Sequence, residues 1–271
     1  MRPETKFEKK FEKLRAVLRG YERVAIAFSG GVDSSLLLKC ALDTLGAGNV
    51  LALFARSELL AQSEIDQAVQ WPQINGYGSE IAMEIIELQP LEWKEFVDNA
   101  ADRCYFCKLR IYSLFRERLE RHGFSWLVDG TNADDLKGHR AGLRAIHELG
   151  VRIPMVEAGL DKADVRQLSQ WLGLATWNRP SASCLATRIP TGMSITSDRL
   201  QRVAMLERGL ELFGLVGCRV RLCDSQEYEV HLEIRSEDFA FLAEPGVRMA
   251  LLRFFQQHGV DKVLLHLHGR E

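Results

Sequence analysis

The stretch RVAIAFSGGVDSSLLLKC, residues 23–40, constrains this chain more than any other. An apolar run over 23–28 reads as a strand buried on both faces, the pattern of a parallel sheet. It breaks at Ser29, Gly30 and Gly31, and from Val32 apolar residues return at helical spacing. A strand, a glycine turn and a helix start aim several backbone N–H groups at one point, where the helix end adds partial positive charge. Glycine permits close approach to the backbone. Ser29 and Ser34 add hydroxyl donors, and Asp33 adds a carboxylate suited to Mg²⁺. The expected ligand is a chain of phosphates. No Lys-Ser/Thr pair follows the glycines, so this is not a Walker A loop, and γ-phosphate transfer is not the expected chemistry.

The same alternation recurs downstream. Helices are expected over 5–19 (ended by Gly20), 108–121, 141–149 and 163–172, with strands at 50–55, 80–86 and 126–128. Strands separated by helices predict an α/β fold with a doubly wound parallel sheet. Ligands in such folds sit beyond the carboxyl ends of the strands, where Ser29 and Asp129 both fall. The stretch AVQWPQINGYGSEIAMEI interrupts the scheme, because Pro72 and Gly76 fall where a helix and then a strand are expected after Ser63. Residues 178–193, NRPSASCLATRIPTGM, read as a long functional loop. A helix over 197–213, paired strands CRVRLC and EYEVHLEI, a helical region and a strand over 262–268 predict a smaller C-terminal α+β domain. The expected boundaries are 1–180, a cysteine-bearing linker at 181–193, and 194–271.

A net charge of −2 argues against a nucleic-acid partner. The N-terminus has no signal-peptide core and no apolar run approaches membrane-spanning length, so a cytoplasmic protein without membrane contact is expected. Six cysteines in that compartment read as metal ligands, reactive thiols or core residues rather than disulfides. Cys40 lies in an apolar stretch and reads as core; Cys218 and Cys223 lie in or beside a strand and receive no role. Cys104 and Cys107 stand just before a predicted helix, whose N-terminus favours thiolates. Zinc ligation, a redox pair and chance all remain open for a lone C-x-x-C. Cys184 follows 77 positions later. Three cysteines would leave one iron of a [4Fe–4S] cluster without a protein ligand, able to carry a sulfide. Arg219 and Arg221 alternate along a strand, so both leave one face, which reads either as a grip for a phosphate or as an ordinary solvated strand face.

SGGVDS after an apolar strand resembles the PP-loop of the N-type ATP pyrophosphatases, and GTNADD at 130–135 resembles a second element of that superfamily. The resemblance implies ATP with its pyrophosphate held by Ser29, Gly30, Gly31, Val32, Asp33 and Ser34, and Mg²⁺ on Asp33. It also implies Thr131, Asn132 and Asp134 near the nucleotide. SGGVDS, DRCYFCK, GTNADD with GHRAGLRA, and PSASCLATRIPTG, in that order over residues 29–192, resemble the LarE family. These are ATP-dependent sulfur transferases of nickel-pincer nucleotide synthesis. The implied substrate is pyridinium-3,5-biscarboxylic acid mononucleotide, each carboxylate being adenylated and then converted to a thiocarboxylate. Two sulfur sources are implied. One is a [4Fe–4S] cluster on Cys104, Cys107 and Cys184, fed by sulfide or a sulfur-donating protein; the other is Cys184 itself, left as dehydroalanine. The presence of all three cysteines favours the cluster.

The resemblance further implies that Arg188 acts near the substrate, although a solvated loop cation is its plainer reading. Glu207 and Glu233 match acidic positions at the substrate or metal site, with Asp238 a weaker match, and the assembly would be a trimer or hexamer. Three rivals stand beside this reading. A tRNA thiolase sits poorly with the charge balance and the lack of an appended RNA-binding module. An amide synthetase would need an ammonia source that no glutaminase domain here provides. A nucleotide-binding regulator would show no turnover.

Overall fold

The computed structural model describes residues 6–137, 141–180, 183–223 and 228–270. Residues 138–140 of GHRAGLRA, 181–182 of the cysteine loop, and residues 5 and 227 at the ends of two expected elements lie outside the described residues. The helices are α1 (Lys6–Arg19), α2 (Val32–Leu45), α3 (Gln62–Ile74), α4 (Lys94–Val97), α5 (Arg103–Arg121) and α6 (Ala141–Glu148). They continue with α7 (Pro154–Ala158), α8 (Lys162–Trp171), α9 (Ser197–Leu212), α10 (Phe239–Ala243) and α11 (Pro245–Gln257). The strands are β1 (Val24–Phe28), β2 (Val50–Arg56), β3 (Ala82–Glu87), β4 (Trp126–Asp129), β5 (Arg219–Leu222), β6 (Glu229–Glu233) and β7 (Lys262–Leu265). The chain forms two compact units. Unit 1 is Met1–Ser57, Gln62–Leu88 and Cys104–Arg179; unit 2 is Glu58–Ala61, Gln89–Arg103 and Pro180–Glu271.

Unit 1 holds a parallel sheet in the order β3-β2-β1-β4, the expected doubly wound α/β arrangement. A parallel bridge from Val128 to Arg152 extends it past β4. The path β1-α2-β2-α3-β3 steps one way and the return to β4 through α5 steps the other. Right-handed crossovers therefore put α2 and α3 on one face and α5 on the opposite one. All five residues of β1 are buried, which is why it reads as an unbroken apolar run. Helix α1 buries Leu14 and Leu18 completely and sets Phe7 and Phe11 edge-on to Trp171 of α8, at 6.3 and 5.5 Å.

Two sequence expectations need correction. The irregular stretch after Ser63 does contain the helix-then-strand pattern: α3, a short 3-10 turn at Gly78–Glu80, then β3. Pro72 stands in the last turns of α3, where its missing N–H removes one helical bond. Trp71 and Pro72 are buried, and Trp71 stacks on Tyr77 at 5.9 Å and meets Phe28 edge-on at 5.8 Å. That apolar contact outweighs one lost bond. The second correction concerns α5, which starts at Arg103 and not at 108, so Cys104 and Cys107 lie inside the helix. Cys, Tyr and Phe are indifferent helix formers. The start is fixed instead by Arg103, buried, which donates to Asn99 and to the Ala186 carbonyl (3.1 Å).

Unit 2 contains the sheet β5-β6-β7, antiparallel between β5 and β6 and parallel between β6 and β7. Val220, Val230 and Leu232 face a core with Leu206, Leu210, Leu251 and Phe255. Residues 183–193 are laced into this unit by short strips from earlier in the chain. Leu185 N–H donates to Leu59 O (2.9 Å), and Asn99 Nδ2 donates to Pro190 O and Met193 O (2.7 Å each). Asn99 has φ 52°, a left-handed conformation that asparagine tolerates. Among the described residues no helix is long and apolar enough to cross a membrane.

Candidate active site

In unit 1 the turn after β1 and the loop after β4 form one mouth at the carboxyl ends of adjacent strands. Gly30 has φ 74°, and a Cβ there would come within 2.9 Å of Ala68 Cβ, so only glycine fits between the turn and α3. The Ser34 hydroxyl accepts from Ser29 N–H (3.2 Å) and contacts the Ser29 hydroxyl (3.0 Å), bracing the loop. The first helical bond of α2 is Ser35 N–H to Gly31 O, at 2.9 Å. The amides of Val32, Asp33 and Ser34 precede it and point out of the helix end. These are the amides for which the sequence predicts anion binding.

The GTNADD loop joins this mouth by backbone contact. A Cβ on Gly130 would lie 3.0 Å from Ser34 N and 3.2 Å from Asp33 C, so the two loops touch there. Asn132 donates to Asp33 Oδ1 (3.0 Å), and its own Oδ1 accepts from Asp134 N–H (2.9 Å). Thr131 N–H donates to Asp129 Oδ1 (2.8 Å), as does its hydroxyl, and the Tyr112 hydroxyl donates to Asp129 Oδ2. Burial alone would raise the Asp129 pKa. The Lys108 ammonium 3.5 Å away, with the Thr131 and Tyr112 hydrogen bonds, outweighs it and holds the carboxyl below its usual range.

Sequence reasoning missed Lys162. It opens α8 behind an Asp161–Asp164 capping box, its Nζ sits 2.5 Å from Asp33 Oδ2, and its N–H donates to Asp134 Oδ2 (2.9 Å). The cap pattern D-x-x-D marks the helix start, but nothing local links Lys162 to a turn 129 positions earlier. Asp129 was also missed as a site group, although an acid ending a buried strand was a usable signal.

In unit 2 the structure brings together Cys184, Arg188, Glu207, Arg219, Arg221 and Glu233. Cys184 caps a 3-10 turn, Leu185–Arg188, and its carbonyl accepts from the N–H and hydroxyl of Thr187 (2.9 and 2.8 Å). Arg188, 6% exposed, wraps this turn. Its Nη1 donates to Ser183 O (2.9 Å) and Thr187 Oγ1 (3.0 Å), while Nε and Nη2 grip Glu207 at 2.8 and 3.1 Å. The guanidinium is neither a solvated loop cation nor open to the outside; it shapes the cysteine turn. Glu207 also accepts from Val220 N–H (2.9 Å), and Arg221 pairs with Glu233 while donating to Thr187 O (2.7 Å). Asp238 pairs with Arg235 at 2.9 Å. Burial pushes Arg219 down to about 10, helped by the neighbouring charges of Arg270 and Arg188. Arg188, Arg219, Arg221 and Arg270 thus cluster around Glu207 and Glu233, and guanidiniums so grouped suit a phosphate. Arg270 was invisible to sequence reasoning because it arrives from the far end of the chain.

The cysteines divide by environment. Burial pushes the Cys40 and Cys218 thiols up to about 12, so both are protonated core residues. Cys104 and Cys107 occupy the first two turns of α5, three positions apart and so on one helix face. Lys108, next in sequence, ties that turn to Asp129 at the mouth of the sheet. None of the six cysteines is in a disulfide.

No family model matches the chain. A pyridinium-3,5-bisthiocarboxylic acid mononucleotide synthase of Lactiplantibacillus plantarum is 36% identical over 208 residues, covering 77% of this chain and 74% of that protein. An uncharacterised Synechocystis protein is 36% identical over 262 residues, covering 97% and 95%. A glutamine-dependent NAD⁺ synthetase of Rhodobacter capsulatus shares a local stretch of 49 residues at 43% identity, 18% of this chain and 9% of that protein. Identity to the synthase runs through about three-quarters of both chains, and with it the chain belongs to the LarE family, that of the pyridinium-3,5-bisthiocarboxylic acid mononucleotide synthases, and is an enzyme.

Proposed function

We propose that this enzyme activates the carboxylates of pyridinium-3,5-biscarboxylic acid mononucleotide with ATP and replaces the activated oxygen of each with sulfur. The observation that carries this reading is the mouth of unit 1, where Gly130 and Asn132 meet the glycine turn, in a chain so similar to a thiocarboxylate synthase. A carboxylate oxygen attacks the α-phosphorus of ATP, the bond to the β-phosphate breaks, and pyrophosphate leaves an acyl adenylate. Hydrosulfide then adds at the acyl carbon, AMP leaves, and one proton is released as the thiocarboxylate ionises. Both steps are displacements, with no net oxidation or reduction.

The amides of Val32 to Ser34 and the Ser29 and Ser34 hydroxyls hold the departing pyrophosphate. Lys162 has the reach to turn from Asp33 to a phosphate oxygen. Asp33 and Asp134 offer the hard oxygen donors that fit Mg²⁺, which when bound screens the charge building on the leaving group. Arg219 and Arg221, with Arg270 beside them, take the phosphate of the mononucleotide. Cys104, Cys107 and Cys184 would hold a [4Fe–4S] cluster, a reading supported by the donor chemistry of three thiols outside any disulfide. When bound, the cluster supplies sulfide at an iron without a protein ligand. The enzyme is further proposed to work in the cytoplasm as a homo-oligomer, trimer or hexamer. Leu212 and Leu267, 86% and 82% exposed, are apolar surface in keeping with that.

The test is anaerobic turnover with ATP and the dicarboxylate. AMP, pyrophosphate and thiocarboxylate are expected in equal amounts, with about four irons per chain after reconstitution. Each of Cys104→Ala, Cys107→Ala and Cys184→Ala lowers the iron count. If AMP never forms, the proposal fails. A loss of one sulfur and two hydrogens at Cys184 after turnover assigns the sulfur to that residue and removes the cluster from the account.

A further inference from the structure

The β5–β6 hairpin of unit 2 carries a second constellation that plays no part in the reaction above. Its register pairs Arg219 with Glu233, Arg221 with His231 and Leu222 with Val230, and so sets Cys223 opposite Glu229. Side chains two apart on a strand share a face, so Cys223, Glu229 and His231 leave the same side, away from the core that holds Val220, Val230 and Leu232. Their donor atoms lie within 4.8 Å of one another. Cys223 Sγ is 3.7 Å and His231 Nε2 3.9 Å from the same oxygen, Glu229 Oε1.

The two carboxylate oxygens of Glu229 have separate tasks. Oε2 accepts from Lys262 Nζ at 2.7 Å, across the β6–β7 pairing that sets Glu229 beside Lys262. That bond fixes the carboxylate plane and leaves Oε1 turned toward the thiol and the imidazole. A carboxylate held by one oxygen and offered by the other is the arrangement that orients metal ligands. The Glu229 side chain is 14% exposed and that of His231 is 48% exposed, so a firm centre stands beside an adjustable arm. Cys223 also lines a cavity of about 260 Å³ with Thr196, Arg199 and Arg202, which gives access from outside.

We infer that Cys223, Glu229 and His231 form a binding site for one late first-row divalent cation, with Zn²⁺ the best match and water in the fourth position. One thiolate, one imidazole and one carboxylate form a mixed set of soft and borderline donors that favours zinc and its neighbours over Mg²⁺ or Ca²⁺. Tetrahedral bonds of about 2.0–2.3 Å put neighbouring donors about 3.3–3.6 Å apart. The donor spacings around Glu229 Oε1 already approach that range, and rotation of the exposed His231 ring closes the remainder.

Co²⁺ titrated into chelator-treated full-length protein reads the site directly. A chain carrying Cys104→Ser, Cys107→Ser and Cys184→Ser is expected to bind one Co²⁺ with a thiolate charge-transfer band and tetrahedral visible bands. Zn²⁺ displaces the cobalt. Adding Cys223→Ser abolishes the thiolate band. His231→Gln, made in the unmodified chain so that every thiol remains, weakens Co²⁺ binding at this site at least tenfold. A three-serine chain that folds yet gives no thiolate band overturns the assignment, and so does a band that survives Cys223→Ser. Should the three-serine chain not fold, the His231→Gln comparison decides alone, and unchanged affinity there overturns the site.

Discussion

Gly130→Ala is the sharpest probe of the mouth in unit 1. The added methyl would stand 3.0 Å from Ser34 N and 3.2 Å from both Asp33 C and Ser34 Cα, against backbone that cannot rotate away. The loop must withdraw by a few tenths of an ångström. Asn132, two residues on, donates to Asp33 at 3.0 Å, and an extra 0.4 Å or so carries that bond to about the limit of useful geometry. Overpacking of this kind costs about 1–3 kcal/mol. For a chain of this length 2 kcal/mol corresponds to a fall in Tm of roughly 4–8 °C. Misplacing the nucleotide by a fraction of an ångström should lower pyrophosphate release by about one to two orders of magnitude. Gly31→Ala is the control for stability. Its methyl would meet nothing nearer than Ser29 Oγ at 3.5 Å, and its φ of −73° suits any residue, so only the N-cap preference is lost, about 0.5–1 kcal/mol. The assay is substrate-dependent pyrophosphate release beside a calorimetric Tm for each variant. If Gly130→Ala matched Gly31→Ala in Tm and the parent in pyrophosphate release, the close contact between the two loops would be refuted.

Lys162→Met should cut pyrophosphate release by tenfold or more while Tm changes little, because a part-exposed ion pair contributes under about 1 kcal/mol; activity within twofold of the parent would remove Lys162 from phosphate binding. Arg219→Gln should raise KM for the mononucleotide and raise Tm in its absence. Arg219 is pushed down to about 10 by burial and neighbouring arginines, so the unfolded chain holds that proton more tightly, and stability forgone at neutral pH returns only as pH rises through the folded value. Calorimetry with and without phosphate checks both effects, and a lower Tm for the variant would contradict the crowding. Asp129→Asn should destabilise the protein by about 1–3 kcal/mol through Tyr112 and Thr131. Because the folded carboxyl lies below its ordinary 3.8, this contribution is complete above that value and lost as pH falls through the lower one. Melts of the variant and parent should therefore converge in acid, and a constant gap would refute the linkage.

The sheet of unit 1 was legible because parallel strands buried on both faces appear as apolar runs, and β1 and β2 are such runs. The glycine turn was legible because its conformations and its anion-binding amides call for those residue types. Helix α3 was not, since Pro72 signals a break although the packing of Trp71 keeps the helix whole. The start of α5 depends on Arg103 reaching Asn99 and Ala186, a tertiary anchor that local propensity does not carry. Lys162, 129 positions from Asp33, and Arg270, joined to the arginine cluster from the last strand's tail, depend on long-range placement of the same kind. Arg188 was recognised as important, but its engagement with Glu207 and the cysteine turn could be seen only once the side chain had neighbours.

The chain passes between its two units five times, at 57/58, 61/62, 88/89, 103/104 and 179/180. A fragment beginning at residue 180 would leave behind Asn99 and Leu59, and with them the partners of Pro190, Met193 and Leu185. Unit 2, which bears Cys184, is therefore not one contiguous cassette of sequence. The segments of the two units are interwoven along one thread: unit 1 is complete at Arg179, while the first strips of unit 2, Glu58–Ala61 and Gln89–Arg103, wait for Pro180 onward.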